Sequence, residues 1–262
     1  MTPPMRGHCS SPMALAMGFA LAVSFGAAPV QAGTLVEIKA DGILKVGLTG
    51  DYAPYALRRP GGGTVGADIA MAVRLAQALG VGLEIVPTTW KAMSNDFEAN
   101  RFDIAMGGVS ITTERSALGL FSLPVMHDGK RPIVRCADKD RYTSIAAIDR
   151  RNVRVEVNPG GTNQVFDNAH FPHAQLNQRR DNTGIFDDLA SDRADVMVTD
   201  GAEVDFQARH HRDVLCAAEV TRAFDHFDKA YWMTRDPALK TAVDAVVRKN
   251  LENGAYRRFL TW

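Results

Sequence analysis

An alternation of short apolar runs and amphipathic stretches, passed through twice, confines this chain to a narrow set of folds. In the first pass, ILKVGLT (43–49) reads as a strand that ends in the turn Gly50-Asp51. GADIAMAVRLAQALG (66–80) sets Ile69, Val73, Ala76 and Leu79 at helical spacing and stops at Gly80, suited to a left-handed C-cap. LEIVP (83–87) is the next strand, KAMSNDFEAN (91–100) a helix and FDIAM (102–106) a strand. The second pass opens with the strand NVRVEV (152–157) and the short helix TNQVFDNA (162–169). The helix TGIFDDLAS (183–191), the strand ADVMVT (194–199) and the helix AEVDFQARH (202–210) follow. Such alternation predicts parallel, helix-covered sheets, here in two α/β units of about 90 residues each. Asp236-Pro237 supplies an N-cap and first helical residue for a long tail helix ending near Gly254.

Charge adds little direction. Lys plus Arg and Asp plus Glu number 30 each, so no long-range field draws the chain toward nucleic acid or anionic lipid. The N-terminus carries its own message. Arg6 and His8 precede the apolar run MALAMGFALAVSFGAA (13–28), and Val30-Gln31-Ala32 places small residues at a cleavage site. This is the pattern of a signal peptide over 1–32. The run is short of the roughly 20 apolar residues of a membrane span, so a retained anchor is the lesser alternative. The mature chain is expected to start near Gly33 in the periplasm, with no membrane span of its own. Cys9 lies ahead of the apolar run and so is not the lipid-bearing cysteine of a lipoprotein. Cys136 and Cys216 remain, and an even pair in an exported protein reads as a disulfide. Two buried thiols are the second reading, and a catalytic thiol the third, since no His or Asn partner pattern accompanies either residue.

Two stretches carry the chemistry. In DIAMGGVSITTERSALGLFS (103–122), a strand ends in two glycines, followed by hydroxyls at Ser110, Thr112 and Thr113 and by Arg115. A guanidinium presents a planar fork of donors that matches a carboxylate. Hydroxyls and free N–H groups at a helix start complete an anion site. From the residues alone, an Arg in a surface ion pair is an equal reading. In NPGGTNQ (158–164), Gly-Gly admits close backbone approach, and Thr162 and Asn163 offer hydrogen bonds. His127, His170, His173, His210, His211 and His226 form no zinc-spaced set and read as solvated surface residues. No phosphate loop, dinucleotide fingerprint or Ser-His-Asp order occurs, and neither metal nor cofactor is expected.

GDYAPY, FDIAMGGVSITTERS, FSLPV and VTDGAE resemble the amino-acid-binding proteins of bacterial importers, the type 2, family 3 extracellular solute-binding proteins. Within that family TGDYAPY, VPTTW, NRFDIAMGGVSITTERS, DGKRPIVRC, NPGGTNQVF, DVMVTDGAE and DKAYWMTRD are similar to the periplasmic cyclohexadienyl dehydratase branch, from about Gly42 to the C-terminus. The resemblance implies a two-lobed α/β periplasmic-binding-protein-like fold (type 2), with a ligand cleft between lobes joined by two crossover strands. It implies one lobe of residues 33–133 plus 230–262 and a second of 134–229, where a Cys136–Cys216 bridge would tie two strands. It implies a small-molecule carboxylate ligand held by Arg115, with Ser110 and Thr112 beside it, and an ammonium held by Asp200. Tyr52 and Trp90 would wall the pocket, and Thr162 and Asn163 would face it. The branch converts prephenate to phenylpyruvate, or arogenate to phenylalanine, without a cofactor.

One residue departs from the branch. Its general acid is a glutamate directly after NPGGTN, and here that position is Gln164. An amide has no transferable proton near neutral pH, so it can hydrogen-bond a leaving hydroxyl but not protonate it. Lys229 in DKAYW occupies a pocket position of the family and carries a proton; Asp200 and Glu203 lie near by sequence, Glu203 reading as a helix-surface charge. The alternative to an enzyme is a receptor for an amino acid or cyclic carboxylate, for which an ABC importer is the expected kind of partner.

Overall fold

Alternate apolar side chains make Ile43–Leu48 a strand that buries Leu44, Val46 and Leu48. It sits in a five-stranded sheet of order Gly82–Pro87, Ile43–Leu48, Ile104–Ala105, Trp232–Met233, Leu120–Phe121. The computed structural model describes residues 1–3, 33–179 and 181–262, so the expected signal peptide falls almost wholly outside the described residues. Among the described residues no helix is long and apolar enough to cross a membrane.

Helix Ala67–Leu79 covers this sheet with Ala67, Met71, Ala72 and Leu75, and Gly80 closes it in the left-handed conformation at φ 72°. The tail helix Pro237–Glu252 starts where expected: the Asp236 carboxylate accepts from the Ala238 N–H at 2.8 Å. It adds Leu239, Val243 and Val247 to the same core. A further helix, Leu35–Asp41, was not anticipated, although Thr34 and Glu37 are a capping box legible in sequence.

A second five-stranded sheet has the order Gln175–Gln178, Arg154–Val157, Val196–Asp200, Lys130–Arg135, Leu215–Ala217. Helices Gly161–His170, Gly184–Ala190 and Gly201–His210 flank it. Its core gathers Val134, Val155, Val196 and Val198 on one side and Ile133, Met197, Ile185 and Leu189 on the other. The expectation of parallel sheets holds only in part. In each sheet four strands share one direction, but Trp232–Met233 and Lys130–Arg135 lie antiparallel to both neighbours. These reversed strands are the ones entered from the crossings between lobes, so they arrive from the opposite direction to strands fed by helices.

The crossings are the strands Met126–Asp128 and Phe227–Lys229, which pair antiparallel with Lys229 opposite Met126. Cys136 and Cys216 are joined in a disulfide with their Cα atoms 4.8 Å apart. Cys216 lies across from Val134, and Cys136 opens the 3-10 turn Cys136–Asp138 that follows Lys130–Arg135, so the bond fastens the edge strand Leu215–Ala217 to the turn after its neighbour rather than tying two strands directly.

Candidate functional site

Two glycine pairs bring the lobes together. Gly107 and Gly108, at φ 93° and 81°, turn the chain away from the strand Ile104–Ala105, and the buried Asp68 carboxylate accepts both of their N–H groups at 2.9 and 2.8 Å. A Cβ on Gly108 would stand 2.6 Å from the Tyr55 ring. In the other lobe Gly160 and Gly161 lie at φ 78° and 76°, and a Cβ on Gly160 would stand 2.6 Å from the Lys91 backbone nitrogen. Only glycine fits there, because the start of helix Gly161–His170 presses on the Trp90-Lys91 backbone.

Between these pairs lies a cleft lined by Tyr52, Trp90, Ser110, Arg115, Thr162, Asn163, Asp200 and Lys229 together with Gly108, Asn158 and Gly161. Every one of those side chains except Asn158 was anticipated from sequence. Two anticipated residues stand apart from the lining. Thr112 caps helix Thr113–Leu118 by accepting from the Arg115 N–H at 3.2 Å. Gln164 turns its amide oxygen to the Gly160 N–H at 2.7 Å. The open space is about 10 Å³, room for about one water and too little for a ring-sized ligand in this closed arrangement.

Arg115 is 7% exposed, and its Nη1 donates to the Ser110 carbonyl at 3.0 Å. Among the described residues it forms no ion pair, which removes the surface-pair reading. Burial pulls its guanidinium down to about 10, so it stays charged at neutral pH. Tyr52 and Trp90 meet edge to face at 5.4 Å, with the Trp90 indole N–H on Asp51 at 3.1 Å.

The centre of the site is Asp200, 1% exposed at the end of strand Val196–Asp200. It accepts from Tyr52 Oη, from Lys229 Nζ, and from Lys130 Nζ at 2.5 Å. Lys130 went unnoticed in the sequence, yet it faces Asp200 directly across the antiparallel ladder. Its ammonium also donates to Thr162 Oγ1 at 3.0 Å and to Asn163 Oδ1. Lys229 likewise donates to the Gly108 carbonyl at 2.8 Å and to Ser110 Oγ at 2.9 Å. Burial by itself would raise the Asp200 pKa; the two ammonium groups outweigh it and hold the carboxyl below the usual range. Burial lowers Lys229, against the opposing pull of Asp200.

Behind this triad sits a second acid that sequence reading placed on the surface. Glu203 is fully buried, accepting from Thr199 Oγ1 at 2.7 Å and from Asn182 Nδ2 at 2.8 Å. Burial pushes its pKa well up. Thr199 in turn accepts from Asn163 Nδ2 at 3.0 Å, which connects Glu203 to the cleft wall. A helix position offers no sequence signal for this, because exposure of an i, i+4 face depends on what packs over it.

Two α/β lobes, two crossing strands and a polar cleft between the lobes define the fold of a two-lobed solute-binding protein. The chain belongs to the bacterial extracellular solute-binding proteins, family 3, whose sequence profile matches residues 44–261. It is 41% identical over 228 residues to the cyclohexadienyl dehydratase of Pseudomonas aeruginosa, covering 87% of this chain and 85% of that one. Among solved structures it resembles the ancestral amino-acid-binding protein AncCDT-1, a precursor of cyclohexadienyl dehydratase, at TM-score 0.77 and 31% identity, over 86% of this chain and 96% of that one. An ancestral cyclohexadienyl dehydratase aligns at TM-score 0.54 and 42% identity, over 89% and 98%.

Proposed function

We propose that this chain is a periplasmic protein of the cyclohexadienyl dehydratase branch, exported by a signal peptide cleaved near Ala32, which binds a cyclohexadiene carboxylate and turns it over slowly. The observation that carries the binding half is the donor set of the cleft. Ser110 and Thr162 each accept from a lysine, so the proton of each hydroxyl is the donor left for a ligand. With the Arg115 guanidinium they form a carboxylate clamp fed from both lobes.

The reaction removes two groups from one ring. The bond to the ring carboxylate breaks and releases CO₂; its electron pair enters the ring; the ring C–O bond breaks at the opposite carbon, and the hydroxide takes a proton and departs as water. Prephenate becomes phenylpyruvate, and arogenate becomes phenylalanine. A positioned acid is worth about 10²–10⁴-fold in such a step. Gln164 supplies none. We assign the residual proton donation to Lys229 acting through Ser110: the hydroxyl, which lines the cleft, gives its proton to the leaving hydroxide and takes one from the ammonium that donates to it at 2.9 Å. The step needs no cofactor. The test is incubation of the purified protein with prephenate, following phenylpyruvate: slow release that is lost in Lys229→Met supports the assignment.

A second reading, that of a non-catalytic receptor delivering an amino acid or cyclic carboxylate to an ABC importer, is favoured by one observation: the Gln164 side chain is engaged outside the cleft lining. Tight binding with no turnover by either the parent or Gln164→Glu would decide for it.

A further inference from the structure

An amino group on a ligand needs acceptors, preferably a carboxylate free to pair with it. The carboxylate in this cleft is not free. Asp200 Oδ1 accepts from Lys130, and Oδ2 accepts from both Lys229 and Tyr52. The other side-chain carbonyls of the lining are engaged too: Asn163 Oδ1 accepts from Lys130, and Asn158 Oδ1 from Asn163 Nδ2 at 3.0 Å. The groups left over are donors, namely the Arg115 guanidinium and the hydroxyls of Ser110 and Thr162. Charge points the same way. Lys130 and Lys229 are each 1% exposed and both contact the single carboxylate of Asp200, so the triad carries a net positive charge before Arg115 is added. Asp51 and Asp128 stand further out, engaged by the Trp90 indole and by the N–H groups of Gly129 and Ala202.

We infer that Lys130 is a specificity-determining residue: paired across the strand ladder with Asp200, it converts an ammonium-accepting corner into an ammonium-rejecting one, so the cleft selects 2-oxo carboxylates over the corresponding 2-amino acids. The inference builds on the carboxylate-binding reading above and deepens it, because it separates prephenate from arogenate, which differ in that one substituent. The 2-oxo oxygen is an acceptor that suits the excess donors, whereas a ligand ammonium meets two like charges at Asp200, the carboxylate lining the cleft among the described residues, and like-charge juxtaposition is an effective means of rejection.

The test is equilibrium binding by isothermal titration calorimetry with two matched pairs, prephenate against arogenate and phenylpyruvate against L-phenylalanine. The parent should favour the 2-oxo member by at least about tenfold. Lys130→Met leaves Asp200 one cation instead of two and should narrow that ratio by about tenfold or invert it. A merely structural role for Lys130 would weaken both members of a pair alike and leave the ratio unchanged. Lys229→Met, which removes the other cation, should shift the ratio in the same sense and serves if Lys130→Met does not fold. A parent that binds either amino acid as well as its 2-oxo partner overturns the inference, as does an unchanged ratio in the folded variants or the absence of binding by all four ligands. If the cyclohexadienes alone fail to bind, the proposed function falls, while the phenylpyruvate pair still reads the preference.

Discussion

Gln164 donates no proton to the cleft and does not line it: its side-chain oxygen accepts the Gly160 N–H at 2.7 Å, while its neighbour Asn163 faces the ligand space. Two adjacent helical residues therefore serve different ends. Asn163 joins Lys130 to Thr199, and Gln164 satisfies a backbone donor at the helix start.

Gln164→Glu should raise prephenate turnover by at least about tenfold, below the full range for a general acid because the carboxyl must leave Gly160 to reach the substrate. Enclosure between the lobes favours its neutral, proton-donating form. Phenylpyruvate formation in the parent and the variant checks this. A fast parent would make Lys229 or another group the acid and Gln164 a bystander.

Arg115→Ala should weaken binding of a carboxylate ligand by about 2–5 kcal/mol, the usual loss for one partner of a buried, hydrogen-bonded charge pair. Calorimetric titration measures it. Arg115→Lys should recover only part of the affinity, because an ammonium lacks the planar fork. An alanine variant that binds as tightly as the parent would remove Arg115 from the clamp.

The Cys136–Cys216 bond closes a span of 80 residues in sequence. Replacing both cysteines by serine should cost about 2–4 kcal/mol of unfolding free energy. Urea melts of the oxidised parent and the double variant give the difference. Thiol titration of the unfolded, unreduced parent should find neither cysteine free.

Glu203 makes stability fall as pH rises above the ordinary glutamate range. Burial raises its folded-state pKa above the unfolded value, so its contribution is complete below the ordinary glutamate range and is lost as pH rises through the raised value. Glu203→Gln keeps an oxygen and a donor in the same place without an ionisable proton. The variant should therefore hold its Tm as pH rises above the ordinary glutamate range, where the parent declines. Parallel slopes of Tm against pH would show that Glu203 does not titrate in that interval.

The strand and helix runs were legible in the sequence because burial on one face leaves a period of two or 3.6. That period placed Ile43–Leu48, Ala67–Leu79 and Gly201–His210 within a residue or two of their observed limits. The cleft lining was legible for a second reason: the likeness to the family set Tyr52, Trp90, Arg115, Thr162, Asn163, Asp200 and Lys229 around a pocket, and SITTER and NPGGTNQ carry polar residues at helix starts. Tertiary structure alone decided the rest. Lys130 and Asp200 are 70 residues apart, and nothing local marks Lys130, because its meaning comes from the ladder that sets it opposite Asp200. Glu203 lies in a helix whose sequence suits either water or a core, and only packing against Thr199 and Asn182 makes it a buried acid. The direction of the reversed strands Lys130–Arg135 and Trp232–Met233 is fixed by the path of the chain between lobes, a long-range property that no window of sequence contains.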